Sequence, residues 1–261
     1  VEKPMALTIE DTENMIYACD ANNVKLFVIK QNRFNVPVVK LKEALDTGRF
    51  GKLTLGTVRV RWARHQAYYD QDSWRGTWAM DGGVLTNQAS HHVDMLEWMM
   101  GDVESVFAKM TTALANVETE DTAIVTLKFK NGALGIIEAT TATRPANLEG
   151  SISILGENGT VVVGGVAVNE MQTWAFEDVK DGDSTVLEEF SVNPPNVYGF
   201  GHQAYYEHAV DCIENGSANL VDGLQGRKSI ELISAIYESA ETGKEVFLKF
   251  QPKHCRLGQK S

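Results

Sequence analysis

Gly82-Gly83-Val84-Leu85-Thr86-Asn87-Gln88-Ala89-Ser90-His91-His92-Val93-Asp94 reads as a glycine turn running into a helix. At about 100° per residue, Asn87, His91, Asp94 and Trp98 fall on one face of that helix, and Ala89, Val93, Leu96 and Met100 on the opposite one. The apolar stripe can anchor the helix to a core. The polar stripe then stacks an amide, an imidazole and a carboxylate over three turns. It is either a solvated face or the wall of a site, and the flanking sequence has to separate the two readings.

Toward the N-terminus, Thr8 and Asp11 are spaced as a capping box. Met15, Ile16 and Cys19 continue with helical spacing, which predicts a helix over 9–22. Val24 to Ile29 reads as a short apolar strand, and Val38, Leu41 and Leu45 mark a second helix stopped by Gly48. The opening Val1-Glu2-Lys3-Pro4 resembles the end of a buried strand, so the expectation is a chain cut from a longer protein. A strand end, a helix and a strand within 30 residues are what the late part of a βαβ fold leaves.

From Leu53 the period changes to two. Val58, Val60 and Trp62 alternate with Thr57, Arg59 and Arg61. Residues 104–112, 121–130, 133–142, 150–156 and 159–164 also read as strands, with Asn131-Gly132 and Asn158-Gly159 as hairpin turns. Helices return at 202–215, with Tyr206, Ala209, Val210 and Ile213 expected inward, and at about 223–242, with Ile230, Ile233, Tyr237 and Ala240 expected inward and Gly243 as the stop. Val246 to Phe250 reads as a last strand, and the tail from Pro252 as basic and loose. The fold class predicted is α+β: a large, mostly antiparallel sheet with helices on one face (31–261), preceded by a remnant of a Rossmann α/β domain (1–30).

The chain has 261 residues, 43% hydrophobic and 23% charged, as in ordinary globular proteins. Its net charge of −11 disfavours nucleic acid, which needs a basic face. Cys19, Cys212 and Cys255 are odd in number and far apart, so neither a disulfide framework nor a zinc site is expected, and a reducing cytoplasm fits. No apolar run approaches the ~20 residues of a membrane span.

Two further stretches carry chemistry. Glu2-Lys3-Pro4 follows a strand end, where open α/β sheets bind ligands. A lysine beside a cationic nicotinamide is driven toward the neutral amine, which accepts a proton. Residues 59–78 concentrate Trp62, Trp74, Trp78, Tyr68, Tyr69 and the arginines Arg59, Arg61, Arg64 and Arg75. Aromatic faces suit sugar and base rings, and guanidinium forks suit carboxylate and phosphate, while the same residues can equally brace a long loop. His202, at the start of its helix, is placed to face a cleft, whereas His208 reads as structural. No dinucleotide Gly-x-Gly-x-x-Gly fingerprint, phosphate-binding P-loop or Gly-x-Ser-x-Gly elbow occurs.

Glu2-Lys3-Pro4, then Gly-Gly-x-Leu-x-Asn-x-x-x-His-x-x-Asp at 82–94, Glu120-Asp121-Thr122-Ala123, and the closing Ile236-to-Val246 run together resemble the Gfo/Idh/MocA family of NAD(P)-dependent sugar oxidoreductases. Lys30-Gln31-Asn32-Arg33 and the Tyr68-Tyr69…Trp74-Arg75-Gly76-Thr77-Trp78 segment are most similar to its UDP-N-acetylglucosaminuronate 3-dehydrogenases of bacterial surface-polysaccharide synthesis. The resemblance implies NAD or NADP as cofactor, no metal, a UDP-sugar substrate, 2-oxoglutarate as a recycler of NADH, and a homodimer or homotetramer. It implies Lys3 and His91 as the catalytic pair. Glu2, Lys3, Pro4 and Gln31 are then expected against the cofactor, and Asn87, Arg33, Tyr69, Trp74, Arg75 and His202 against the substrate. Many members have aspartate where this chain has Asn87, and an amide takes no proton, so Asn87 is expected to orient the sugar. The family's N-terminal glycine-rich turn has no counterpart here. Two alternatives remain: a non-catalytic sugar-nucleotide binding or assembly module, and a dehydrogenase of another sugar or polyol.

Overall fold

The structure, a computed structural model, describes residues 1–191, 194 and 199–248. The expected strand residues Lys249 and Phe250, the tail from Pro252, and His254 and Cys255 lie outside the described residues.

Helix α1 (Ile9–Ala21) starts where the sequence places it, with the Thr8 hydroxyl accepting the Asp11 N–H at 3.1 Å. It packs on α7 (Gly223–Thr242), which begins at an Asp222 cap and ends at left-handed Gly243. The expected strand at Val24–Ile29 is not one. Its backbone bonds are few and go to separate segments: Val28 N–H to Val221 O, Ile29 N–H to Val1 O, and the Val1 N-terminus to Phe27 O at 2.7 Å. No consecutive ladder forms, so no regular strand results. Met5, Val28 and Val221 form a small second core here, apart from the main one.

A 3₁₀ turn (Gln31–Phe34) leads into α2 (Val36–Asp46), which Gly48 follows with φ +73°. Strand β1 (Leu53–Arg61) and the short helix α3 (Gln66–Tyr69) precede α4 (Ser90–Met100). The strands β2 (Val103–Thr111), β3 (Thr122–Phe129), β4 (Leu134–Thr140), β5 (Glu149–Gly156), β6 (Gly159–Gly164) and β7 (Glu170–Phe176) follow. The sequence reading has no strand at β7, whose Met171, Trp174 and Phe176 supply its apolar residues. After a 3₁₀ turn come α5 (Val186–Glu189), α6 (Gly201–Glu214), α7 and the two-residue β8 (Val246–Phe247). One eight-stranded sheet runs β7-β6-β5-β1-β4-β3-β2-β8. Among the described residues only β1–β4 is parallel, so the sheet is mostly antiparallel, as the period-two pattern and hairpin turns require.

Helices α4 and α7 pack on the sheet. Val58 and Val60 of β1 and Val93, Leu96 and Met100 of α4 all belong to the main core. The approach is close. A Cβ on Gly56 of β1 would lie 2.7 Å from Met100 Cγ and 2.8 Å from Leu96 Cδ1. On the other sheet face, Arg61 forks onto Glu138 (2.6 and 2.8 Å) and reaches Glu149 (3.1 Å). Phe107, Ile124 and Ile136 of that face are exposed.

Helix α6 buries the opposite side from the one expected. Tyr205 and Cys212 are inward, against the 3₁₀ turn and Phe34, while Tyr206, Val210 and Ile213 are more than half exposed. Apolar residues line both sides of this helix, so periodicity alone does not choose between them.

Candidate active site

The turn at 82–89 is held from two directions. Gly82 has φ +70°, and a Cβ on Gly83 would sit about 2.1 Å from Glu120 Oε2 and 2.2 Å from Glu120 O. Glycine is therefore required at both positions, by conformation at the first and by contact at the second. Glu120 Oε1 accepts from Leu85 N–H at 2.9 Å and from the Tyr237 hydroxyl at 3.1 Å. Tyr237 in turn accepts the Gly83 N–H at 3.2 Å and pairs with Thr86 Oγ1 at 2.8 Å. Burial raises the Glu120 carboxyl to about 7.

This clamp starts α4 at Ser90, later than the sequence pattern implies. Asn87 therefore stands before the helix, with its carbonyl outside the regular helical ladder. Lys3 Nζ donates to that carbonyl at 2.6 Å. The Asn87 amide donates to Asp81 Oδ1 at 2.5 Å, and Asp81 Oδ2 accepts the Gly76 N–H at 2.8 Å. His91, one turn beyond Asn87, is 8% exposed, and its Nδ1 is buried without a partner. The structure thus joins Lys3 to Asn87 and sets His91 beside them.

Electrostatics separates the two candidate proton carriers. Burial lowers the Lys3 ammonium to about 8, against the attraction of Asp81 and Glu2. Burial first, then the Lys3 and Lys30 cations, hold His91 well below its ordinary value. His91 is therefore a neutral imidazole across the neutral range, and Lys3 carries a usable fraction of free amine near pH 8.

Asp94 does not join this wall. It is 2% exposed and points to a buried cluster behind it. Arg33 forks onto it (Nε 2.8 Å, Nη2 2.7 Å), Lys30 Nζ lies at 3.3 Å, and the Ser229 hydroxyl donates at 2.9 Å. Two cations on one carboxylate hold it well below the usual range despite burial. Trp98, the last member of the expected polar stripe, lies under the Arg33 guanidinium at 4.8 Å. The expectation that Arg33 binds substrate is corrected here. Its side chain is 3% exposed and engages Asp94, Gln225 and Trp98.

The 59–78 arginines are likewise divided. Arg59 and Arg61 belong to the far sheet face. Arg75 stacks on Tyr68 (4.4 Å) and Trp74 (4.6 Å), and pairs with Asp72 at 2.9 Å. The Tyr68 hydroxyl accepts from Gln88 Nε2 at 3.3 Å, which ties this stack to the residue after Asn87. Tyr69 is buried, with its hydroxyl on Thr141 Oγ1 at 2.9 Å, which commits that hydroxyl to the scaffold. Gln31 is buried with Oε1 unpartnered. Gly201, just before half-buried His202, packs so closely on the Gln31 carbonyl that a Cβ would come within 2.1 Å. Glu2 is exposed, Pro4 half-buried behind a cis Lys3–Pro4 bond.

Sequence reasoning missed Asp81, the Lys30–Arg33–Asp94–Ser229 cluster and the Glu120–Tyr237 clamp. Asp81, directly before Gly82-Gly83, had a sequence signal, because a carboxylate next to a tight turn has few places to point. Among the described residues, no group of three or more His, Cys, Asp or Glu is placed to hold a metal ion, and no helix is long and apolar enough to cross a membrane.

The fold has counterparts among solved structures. The WlbA dehydrogenase of Bordetella pertussis, solved with NADH and UDP-GlcNAcA, is 44% identical over 96% of this chain and 72% of its own, with a TM-score of 0.87. The WlbA dehydrogenase of Chromobacterium violaceum, solved with the same two ligands, is 46% identical over 96% of this chain and 70% of its own, with a TM-score of 0.89. A myo-inositol 2-dehydrogenase of Thermotoga maritima is 27% identical over 95% of this chain and 72% of its own length. Residues 42–248 match the oxidoreductase family, C-terminal alpha/beta domain (GFO_IDH_MocA_C), and the chain belongs to that Gfo/Idh/MocA family.

Proposed function

We propose that this chain forms the substrate-binding and catalytic part of an NAD(P)-dependent dehydrogenase that oxidises the 3-hydroxyl of a UDP-N-acetylaminouronic acid, in bacterial surface-polysaccharide synthesis. The observation that carries the reading is the Lys3–Asn87 contact at 2.6 Å, with neutral His91 one turn on. It occurs in a chain 44–46% identical to two dehydrogenases solved with UDP-GlcNAcA and NADH.

The residues present fit a nicotinamide group. Gln31 Oε1 is a buried acceptor without a partner, which a carboxamide N–H satisfies. Glu2, Lys3, Pro4 and Gln31 would hold this end of the cofactor, and residues 1–30 would be the end of its Rossmann domain. The bound cofactor supplies the hydride acceptor. The chain's own residues manage the proton: Lys3, as free amine, accepts it from the 3-hydroxyl, while His91 and Asn87 orient that hydroxyl. Arg75, Trp74 and His202 would line the sugar and its carboxylate. A homo-oligomer is supported by the exposed Phe107, Ile124 and Ile136 on the uncovered sheet face. Recycling of NADH by 2-oxoglutarate and a cytoplasmic location complete the proposal.

The test supplies UDP-GlcNAcA and NAD to the full-length encoded protein. Reduced nicotinamide and a 3-keto product by mass spectrometry are expected. UDP-GlcNAc, which lacks the carboxylate, should be turned over at least about tenfold less efficiently. No keto product from any UDP-uronic acid would overturn the proposal.

A further inference from the structure

Lys3 donates to the carbonyl of Asn87, and a carboxylate, Asp81, stands behind that asparagine. Asp81 is 7% exposed, and each of its oxygens has one partner on a different side. Oδ1 takes the Asn87 amide at 2.5 Å, and Oδ2 takes the Gly76 N–H at 2.8 Å. Asp81 is tied to its own loop as well, its N–H donating to Thr77 O at 3.1 Å. The line Lys3 Nζ to Asn87 O, then Asn87 Nδ2 to Asp81 Oδ1, is short throughout.

We infer that Asp81 is a positioning residue for the proposed oxidation: it fixes Asn87 under Lys3, docks the loop that carries Arg75, and supplies the negative charge that the amide at 87 lacks. The inference rests on the dehydrogenase reading. It goes beyond that reading in assigning the electrostatics of Lys3 to a residue outside the Gly-Gly…His motif. Asp81 touches neither substrate nor cofactor in this assignment and acts through Asn87 and Lys3.

Among the described residues, the charged groups felt at Lys3 are Asp81 and Glu2, which favour the ammonium, and Lys30, which opposes it. His91 is neutral in the neutral range and adds no charge. Burial raises the Asp81 carboxyl, and the Gly76 N–H, the Asn87 amide, Lys3 and Arg75 oppose that rise. Of the two acids facing Lys3, Asp81 acts more strongly, and Glu2 is exposed. Removing the Asp81 charge therefore makes the Lys3 ammonium less stable, and its titration moves to lower pH.

The experiment compares Asp81→Asn and Asp81→Glu in the full-length enzyme. The reactivity of Lys3 toward acetic anhydride is followed against pH by peptide mass spectrometry, alongside kcat/KM against pH. In Asp81→Asn, the Lys3 midpoint and the limb of kcat/KM that rises with pH should both move down by about one pH unit. Asp81→Glu, which keeps the charge, should leave both near wild type. If Asp81→Asn does not fold, Asp81→Ser takes its place in the same measurements. An unmoved Lys3 midpoint in a folded neutral variant overturns the inference, whatever happens to turnover. A wild-type enzyme without activity on UDP-uronic acids sinks the dehydrogenase reading instead, and the labelling midpoint then still reports on Asp81 and Lys3 separately.

Discussion

Lys3 and Asn87 are 84 positions apart in sequence, and the lysine ammonium donates to the asparagine carbonyl at 2.6 Å. The contact joins the N-terminal segment to the turn before α4. It uses the main chain of Asn87, so the side chain remains free to bind Asp81.

Lys3→Met should preserve the fold and remove turnover. The side chain is half-buried and makes one hydrogen bond, and methionine fills similar space. A general base contributes about 10²–10⁴-fold, so kcat should drop by that range with KM for the UDP-sugar changed little. An equal kcat in a folded Lys3→Met enzyme would remove Lys3 from the chemistry.

His91→Ala should lower kcat while leaving the alkaline side of the pH profile in place. Burial and the Lys3 and Lys30 cations depress the imidazole, so it is neutral above its ordinary value and titrates only on the acid side. The same shift has a stability sign. A histidine whose folded pKa lies below about 6.5 stabilises least in acid. Its neutral burial is undisturbed above that value and is increasingly penalised as pH falls toward the folded pKa. Urea titrations at pH 7 and pH 5 check this: the wild type should lose more stability between the two than His91→Gln.

Gly83→Ala should cost stability even though alanine is a small residue. The new Cβ would stand about 2.1 Å from Glu120 Oε2 and 2.2 Å from its main-chain oxygen, which has nowhere to retreat. Overpacking of this kind costs about 1–3 kcal/mol. Because the turn also sets Asn87 and His91, kcat should fall with it. Denaturant midpoints and kcat measured on the same preparation check both effects, and an alanine variant of wild-type stability would refute the close approach.

Arg75→Ala should raise KM for an acidic sugar with little effect on stability. Among the described residues its one ion pair is to Asp72, three residues away and 45% exposed at the side chain, a kind of pair worth about 0–1 kcal/mol. The stack on Tyr68 and Trp74 holds the guanidinium in place. KM for UDP-GlcNAcA should rise by about tenfold or more, while KM for UDP-GlcNAc should hardly move. Equal changes for both would show that Arg75 does not meet the carboxylate.

The legible parts of this molecule are those set by local periodicity. The apolar stripe Ala89, Val93, Leu96 and Met100 is buried as its spacing requires, and Asn131-Gly132 is the turn between β3 and β4. The motif resemblance named Lys3 and His91 as a pair and Asn87 as a sugar contact, whereas the bond from Lys3 to the Asn87 carbonyl emerges only in the structure. What could not be read depends on partners distant in sequence. Asp94 has the spacing of a site residue, but Arg33, 61 residues earlier, and Ser229, 135 residues later, turn it into the core. Val24–Ile29 has the composition of a strand, but its backbone finds Val221 and Val1 instead of a ladder. Tyr206, Val210 and Ile213 match a buried helical face as well as Tyr205 and Cys212 do, and only the 3₁₀ turn opposite decides which side faces in.

Arg33 offers the sharpest separation between a structural and a substrate-binding residue. Its guanidinium and Lys30 share the Asp94 carboxylate, and each of the three side chains is under 5% exposed. Asp94→Asn leaves two buried cations facing an amide, and breaking a buried pair on one side costs about 3–5 kcal/mol. The carboxylate is held well below its ordinary range, so the stabilisation is complete above the unfolded value near 4 and is lost as pH falls below it. The gap in urea midpoint between wild type and Asp94→Asn should therefore be full at pH 7 and begin to narrow only as pH falls from about 4 toward 3. Arg33→Lys keeps a charge but loses the fork, so it should lower stability by about 1–3 kcal/mol, with KM for the UDP-sugar changed less than about threefold. A stable Arg33→Lys protein with KM raised tenfold would return Arg33 to the substrate site and refute the buried-cluster assignment.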